Sequence, residues 1–97
     1  MFISDTDKKI ITDILAAVIP TTPVYAFGSR VTGGYRATSD LDLLLDDQEV
    51  LPTITISALR EAFEDSPLHF RVDILLRSDI DHDFFTHIAS HLELLEL

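Results

Sequence analysis

Two hydrophobic periods alternate along this sequence, and their order restricts the fold more than any other feature. Apolar residues recur at helical spacing in three segments, which lie after Ser4-Asp5-Thr6-Asp7, after Pro52 and over residues 80–95. Three short β-prone runs separate them, namely Val24–Phe27, Asp40–Leu45 and Phe70–Arg77. The order αβ(α)βαβα, with a polar loop at residues 28–39, predicts an α/β (α+β) fold. We expect a mixed sheet of three to four strands flanked by helices.

Length and charge narrow the possible functions. The chain has 97 residues, which is enough for one domain, residues 1–97. Its net charge of −10 argues against direct binding to DNA or RNA, because such proteins need a basic surface. It contains no cysteine, which excludes disulfides and thiolate metal sites. The longest apolar run, Ile14–Ile19, is too short to span a membrane, and we therefore predict a cytoplasmic protein.

Two carboxylates stand at the start of the second predicted strand. Asp40 and Asp42 are two positions apart and therefore lie on one face, with Cα atoms roughly 6 to 7 Å apart. Leu41, Leu43 and Leu45 point to the opposite face and anchor the strand in the core. Two such carboxylates repel each other unless a cation lies between them. Carboxylates together with substrate phosphates are the usual ligands of Mg²⁺, so the pair predicts a magnesium site.

A third carboxylate, Asp73, lies on the polar face of the third predicted strand. An adjacent strand would place it about 5 Å from the first pair. Three carboxylates on neighbouring strands can hold two metal ions about 4 Å apart, the arrangement that stabilises attacking and leaving oxygens in phosphoryl transfer.

The polar loop supplies groups that suit a phosphate-bearing ligand. Gly28 ends the first strand and allows the backbone to approach a ligand closely. The Ser29 hydroxyl can add a hydrogen bond, and Arg30 and Arg36 place two positive charges beside the loop. With Ser39, which precedes the first carboxylate, these residues form the predicted nucleotide-binding set.

This combination resembles the minimal nucleotidyltransferases of the DNA polymerase β superfamily. The resemblance rests on Phe-Gly-Ser-Arg at 27–30, on Ser-Asp-Leu-Asp-Leu at 39–43 and on Val-Asp-Ile at 72–74. It implies that Gly28 and Ser29 hold the triphosphate and that Asp40, Asp42 and Asp73 bind two Mg²⁺ ions. It also implies transfer of a nucleotide from ATP to an acceptor hydroxyl, which Asp73 would activate.

Short members of this family are similar to the antitoxins of bacterial and archaeal toxin–antitoxin pairs. The resemblance therefore implies a HEPN-domain toxin as the partner protein, with a hydroxyl of that partner as the acceptor. The chain departs from many relatives in one place, because Val31-Thr32 and Gly33-Gly34 stand where they show Ala-Arg-Gly.

Several features also have simpler interpretations. Asp40 and Asp42 could be solvated carboxylates at an ordinary strand end, and Asp73, between Arg71 and Arg77, could form a surface ion pair. A row on the last predicted helix could bind zinc but also fits the border of an apolar face; it comprises Asp83, His87 and His91.

The competing hypothesis is a non-catalytic module that neutralises its partner by occlusion. The altered loop favours it. Apolar residues of the last segment could form the partner interface, and they comprise Phe84, Phe85 and Leu94. A transferase that modifies a small molecule ranks third, because we see no acceptor domain in these 97 residues.

Overall fold

Helices and strands alternate strictly along the chain in the computed structural model, which describes residues 1–97. The helices are α1 (Asp5–Val18), α2 (Ser29–Thr32), α3 (Thr53–Glu64) and α4 (His82–Ala89). The strands are β1 (Val24–Phe27), β2 (Leu41–Leu45), β3 (Val72–Leu76) and β4 (Glu93–Leu94). The mixed α+β fold predicted from the two hydrophobic periods is confirmed.

The four strands form one sheet in the order β3-β2-β1-β4. Strands β2 and β3 are parallel, whereas β1 is antiparallel to both β2 and β4. In the central strand β2, Leu41, Leu43 and Leu45 are completely buried on one face, as their spacing predicted. Leu44, on the opposite face, is also buried, so both faces of β2 are covered.

Helices α1 and α3 cover the first face of the sheet. The Ser4 hydroxyl accepts a hydrogen bond of 3.1 Å from the Asp7 amide and caps the first helix. Ile11 and Leu15 of α1 then pack with Leu59 of α3 in the main core. Burying side chains of this size contributes roughly 1.5–3 kcal/mol each. None of the four helices is both long enough and apolar enough to cross a bilayer.

Helix α4 covers only one end of the second face. There Ile88 packs with Phe27 and Leu44 in a small apolar cluster. The side chains of a strand alternate between faces, so Asp42 and Asp73 lie on this same second face. The incomplete cover by α4 therefore leaves the carboxylates accessible.

The prediction of one helix over residues 80–95 is wrong. The helix ends at Ala89, and Glu93 and Leu94 form β4, which pairs with Ala26 and Tyr25 of β1. Pairing with β4 gives hydrogen-bond partners to backbone groups at the edge of β1, and this pairing is found in place of the continued helix that the apolar spacing predicted. Within α4, Phe84 is 39% exposed, whereas Ile88 is buried.

Asp47 links the ends of β2 and β3. Asp46, Asp47 and Glu49 follow β2 in an acidic run that is typical of a solvated strand end, but Asp47 is buried. Its carboxylate accepts hydrogen bonds from the amide and the hydroxyl of Ser78. Burial alone would raise the pKa of Asp47, but these hydrogen bonds outweigh it and lower the pKa below the usual range.

We expect Asp47→Asn to lower the free energy of unfolding at neutral pH by about 1–3 kcal/mol, because it disrupts a buried, charge-assisted hydrogen-bond pair. The lowered pKa means that the charged carboxylate stabilises the fold above its unfolded-state pKa, and that this stabilisation is lost as the pH falls through the folded-state pKa. Urea unfolding at several pH values should therefore show a flatter acid dependence in the variant. Asp46→Asn, which removes a carboxylate without a side-chain hydrogen bond, should retain the wild-type profile.

Candidate active site

The register of the sheet brings the predicted carboxylates together. Asp42 of β2 lies directly opposite Asp73 of β3, on the strand-to-strand spacing of about 4.8 Å. On its other side Asp42 is aligned with Phe27, the last residue of β1. Asp40 precedes β2 by one position and lies on the same face as Asp42. The three acidic residues therefore form one cluster at the beginning of two parallel strands.

The guanidinium of Arg71 lies among these carboxylates. Its Nη2 is 2.9 Å from Oδ1 of Asp73 and 3.6 Å from Oδ2 of Asp40. The surface ion pair that we considered for Asp73 is thus present, but the partner is Arg71 alone. Arg77, the other candidate, instead stacks on Phe85 with its guanidinium carbon 3.8 Å from the ring centre.

The ionised form of Asp42 is destabilised by its surroundings in the cluster. Burial of its carboxylate, followed by the negative charges of Asp73 and Asp40, raises the pKa of Asp42, and the charge of Arg71 offsets this only in part. A proton and a metal ion therefore compete for this carboxylate, and metal affinity should fall as the pH decreases.

Gly28 lies against the carboxylate of Asp42. Its backbone has φ 86° and ψ −162°, a region that residues with a side chain rarely adopt. A Cβ atom at this position would clash with Oδ2 of Asp42. At the adjoining start of α2, the amides of Ser29 and Arg30 donate to no acceptor within the protein. Backbone donors of this kind can bind phosphate oxygens, so phosphate binding at Gly28 and Ser29 stays a prediction.

Arg30 has a different role from the one predicted. Its side chain is buried, and its guanidinium donates to the carbonyl oxygens of Ser39, Phe2 and Ala37 at 2.9, 3.1 and 2.9 Å. The same group stacks on Phe70, 4.1 Å from the ring centre. Because carbonyl oxygens occupy the guanidinium, we assign the side chain of Arg30 to holding the loop together, and only the backbone amide of Arg30 stays available to a phosphate. An arginine beside a glycine-rich loop gives no sequence signal that separates these roles.

The end of the loop is fixed by a turn that brings Ser39 next to the first carboxylate. The Ser39 hydroxyl accepts a hydrogen bond of 2.7 Å from the amide of Arg36, and the Ser39 amide donates to the Arg36 carbonyl at 2.9 Å. The side chain of Arg36 is exposed and makes no ion pair. Arg36 is therefore the loop cation that is free to meet an anionic ligand.

The donor chemistry of the cluster suits Mg²⁺. Carboxylate oxygens are its preferred protein ligands, and one or two of them suffice when substrate phosphates complete the shell. The carboxylates of Asp40, Asp42 and Asp73 lie on one face, although their side chains do not form a closed group of three ligands. Asp40 and Asp73 instead form ion pairs with the guanidinium of Arg71. The residues present therefore offer the donor chemistry of a magnesium site, with the guanidinium of Arg71 as a competing cation.

We expect Arg71→Ala to tighten Mg²⁺ binding severalfold, because the variant loses the cation that pairs with the carboxylates. Titration calorimetry with MgCl₂ would measure the change in affinity. Arg77→Ala is the matched control, since it removes an arginine that contacts Phe85 and no carboxylate. Weaker Mg²⁺ binding by Arg71→Ala than by the control would show that the guanidinium does not compete with the metal.

A groove of about 630 Å³ adjoins the cluster and was not predicted from the sequence. It runs between α3 and the outer edge of β3, and Asp42 and Asp73 are among its lining residues. No pattern in the sequence indicated it, because the groove depends on β3 being an edge strand. The zinc site considered as an alternative for Asp83, His87 and His91 does not form, since His91 lies beyond the end of α4 and the three side chains do not come together as metal ligands.

Comparisons with known proteins agree with this geometry. The family model described as "Nucleotidyltransferase domain" matches residues 8–93. A probable protein adenylyltransferase MntA from Haemophilus influenzae is 39% identical over 82 residues, which cover 84% of this chain and 72% of the relative. A crystal structure of a toxin–antitoxin with AMP-PNP has the same fold, with a TM-score of 0.71 at 23% identity, covering 93% of this chain and 73% of that one.

Proposed function

Because the chain belongs to the nucleotidyltransferase domain family, we propose that it transfers a nucleoside monophosphate, AMP from ATP, to a hydroxyl of a partner protein. We further propose that the partner is a HEPN-domain toxin and that this chain is its antitoxin. The observation that carries the proposal is the alignment of Asp42 with Asp73, with Asp42 packed against Gly28. This places a carboxylate cluster directly beside free backbone donors for a triphosphate.

In this proposal each part of the site has one task. The amides of Ser29 and Arg30, the hydroxyl of Ser29 and the side chain of Arg36 receive the triphosphate. An acceptor oxygen forms a bond to the α-phosphorus, the bond between the α- and β-phosphates breaks, and pyrophosphate leaves. The carboxylate of Asp73 takes the proton of the acceptor hydroxyl.

Asp40 and Asp42 hold the metal in this proposal, and Asp73 contributes as the third carboxylate. Mg²⁺ bound there would neutralise charge on the phosphates and on the leaving pyrophosphate. The requirement for a metal also follows from the net charge of −10, which repels a free nucleoside triphosphate. Without a metal, the guanidinium of Arg71 offsets the repulsion between the carboxylates of Asp40 and Asp73.

The relatives support a protein as the acceptor. The Haemophilus influenzae relative is named a probable protein adenylyltransferase, and the structural neighbour is a toxin–antitoxin with AMP-PNP. The exposed side chains of Phe84 and Leu94 offer apolar surface for a partner, and Phe84 lies edge-on to Phe27 near the carboxylates. The partner interface that we predicted for them remains part of the proposal.

A second candidate is neutralisation by occlusion without transfer. Its supporting observation is that Arg71 pairs with two of the three carboxylates, so that they do not form a ready metal site. A chain that had lost catalysis could retain this ion pair as a structural contact. The two candidates predict different behaviour when the carboxylates are neutralised.

A growth assay in cells, which measures whether the chain suppresses the toxicity of its partner, distinguishes transfer from occlusion. The protein encoded beside this chain would be co-expressed with the wild type or with the double variant Asp40→Asn and Asp42→Asn, and growth and complex formation measured. Catalytic silencing predicts that the variant forms the complex but no longer restores growth. Restored growth would contradict transfer and favour occlusion. Asp13→Asn with Asp65→Asn makes the same charge change at two exposed positions outside the sheet.

A further inference from the structure

The outer edge of β3 carries unpaired backbone groups next to the carboxylate cluster. Strand β3 has only one neighbour, β2. The Leu41 amide donates to the Arg71 carbonyl, and the Arg77 amide donates to the Leu45 carbonyl, both at 2.9 Å. These two bonds show that the backbone groups of Arg71 and Arg77 point toward β2. In a parallel pair every second residue does so, and the backbone groups of the residues between them point away from β2. The outward set comprises Val72, Ile74 and Leu76.

Part of this edge is already occupied, and the occupied part lies away from the cluster. The Leu76 carbonyl accepts from the Asp79 amide at 3.0 Å, and the Ile74 carbonyl accepts from Arg60 at 3.4 Å. The amides of Val72, Ile74 and Leu76 have no hydrogen-bond acceptor. The carbonyl of Val72 has no hydrogen-bond donor. Val72, which immediately precedes Asp73, is therefore the residue with both backbone groups free.

We propose that the acceptor segment binds as an added β-strand along this edge of β3, in the groove beside α3. The inference rests on the proposed function for its hydroxyl acceptor, but strand addition itself is independent of catalysis. A peptide residue that exchanges hydrogen bonds with Val72 places its neighbour opposite Asp73. Cross-strand neighbours share a face, with Cβ atoms about 4.5–5.5 Å apart, so that neighbour projects onto the face that carries Asp42 and Asp73.

The size of the edge fits a short extended segment. Five residues of β3 span about 16 Å at 3.3 Å per residue, and the groove of about 630 Å³ has room for a chain of this length. Main-chain hydrogen bonds provide the binding energy, so recognition requires an extended conformation and a hydroxyl side chain at one position. The acceptor class is therefore a serine, threonine or tyrosine in an extended segment, with basic flanks that complement the net charge of −10.

Amide hydrogen exchange measured by NMR tests strand addition directly. The probe is a blocked seven-residue peptide of alternating valine and threonine, with a central tyrosine and a lysine at each end. At saturation we expect exchange to slow at least tenfold at Val72, Ile74 and Leu76. The amides of Asp73 and Leu75, which already face β2, should not change. This alternation is a signature that contact through side chains alone would not produce.

Two N-methylated forms of the peptide provide the control. Methylation of the amides along the edge that pairs with β3 should abolish the protection, whereas methylation along the opposite edge should leave it intact. The proposal is overturned if no outward amide is protected, or if both methylated peptides bind equally. It is also overturned if protection appears without peptide and rises with protein concentration, because the edge would then be a self-association surface.

A transfer assay separates this inference from the proposed function. The same peptide would be incubated with the protein, ATP and Mg²⁺, and its mass measured. Alternating protection without a gain in mass would support strand addition and contradict transfer to this peptide. A gain in mass without alternating protection would support transfer and overturn the added strand.

Discussion

Asp42→Asn should abolish nucleotide transfer and at the same time stabilise the metal-free protein. The substitution removes a metal-binding charge but retains the shape, and the loss of several kcal/mol of transition-state stabilisation corresponds to about a thousandfold lower rate. Burial and the charges of Asp73 and Asp40 raise the pKa of Asp42. The folded protein therefore loses stability as the pH rises through this raised pKa, and the uncharged amide removes that loss.

Thermal unfolding in EDTA and transfer rates in MgCl₂, measured on separate aliquots of one preparation, would give the two effects. The Tm of Asp42→Asn should exceed that of the wild type, and the difference should grow as the pH rises from the unfolded-state pKa to the raised folded-state pKa and stay constant above it. Asp46→Asn is the matched control, because Asp46 follows the same strand but lies outside the carboxylate cluster. Transfer by Asp42→Asn at the wild-type rate would refute the assignment of the site.

Gly28→Ala should impair both the fold and the site, because the new methyl group occupies the position of the Asp42 carboxylate. The backbone strain of this conformation costs about 1–3 kcal/mol for a residue with a side chain. A carboxylate displaced by about 1 Å from its productive position lowers the rate about a hundredfold. Urea unfolding and the transfer rate would show the two losses.

Gly33→Ala is the control that separates the effect of backbone strain from the effect of a clash with the Asp42 carboxylate. Gly33 has a similar backbone conformation, with φ 100° and ψ 179°, but a Cβ there meets no atom within 4 Å. Its variant should lose stability by strain alone and keep a transfer rate close to that of the wild type. Equal activity of the two variants would show that the contact between Gly28 and Asp42 does not position the carboxylate.

Features that depend on local alternation could be predicted from the sequence. The period of two over Asp40–Leu45 correctly indicated a strand with its leucines buried and its carboxylates together. The first helix could equally be predicted, since apolar residues recur at helical spacing after Ser4. The Ser4 hydroxyl caps this helix. Both depend on side chains only a few residues apart, for which spacing and propensity are sufficient.

Features that depend on distant pairing could not be predicted. The helical spacing of apolar residues over 80–95 predicted one long helix and gave no sign of β4. That strand pairs with β1, which is distant in the sequence. Arg30 looked like a phosphate ligand because its carbonyl partners, such as those of Phe2 and Ala37, come together only in the folded loop. The ion pair between Arg71 and Asp40 likewise requires β2 and β3 to lie side by side, whereas the local pair between Arg71 and Asp73 was among the sequence interpretations.

Intact-mass spectrometry of the proposed partner tests the central claim most directly. The protein encoded beside this chain would be incubated with it, with Mg²⁺ and with each nucleoside triphosphate in turn. We predict a gain of one or more nucleoside monophosphates with ATP, and no gain with Asp42→Asn or without Mg²⁺. A stable complex whose partner gains no mass with any nucleotide would contradict transfer and leave occlusion as the function.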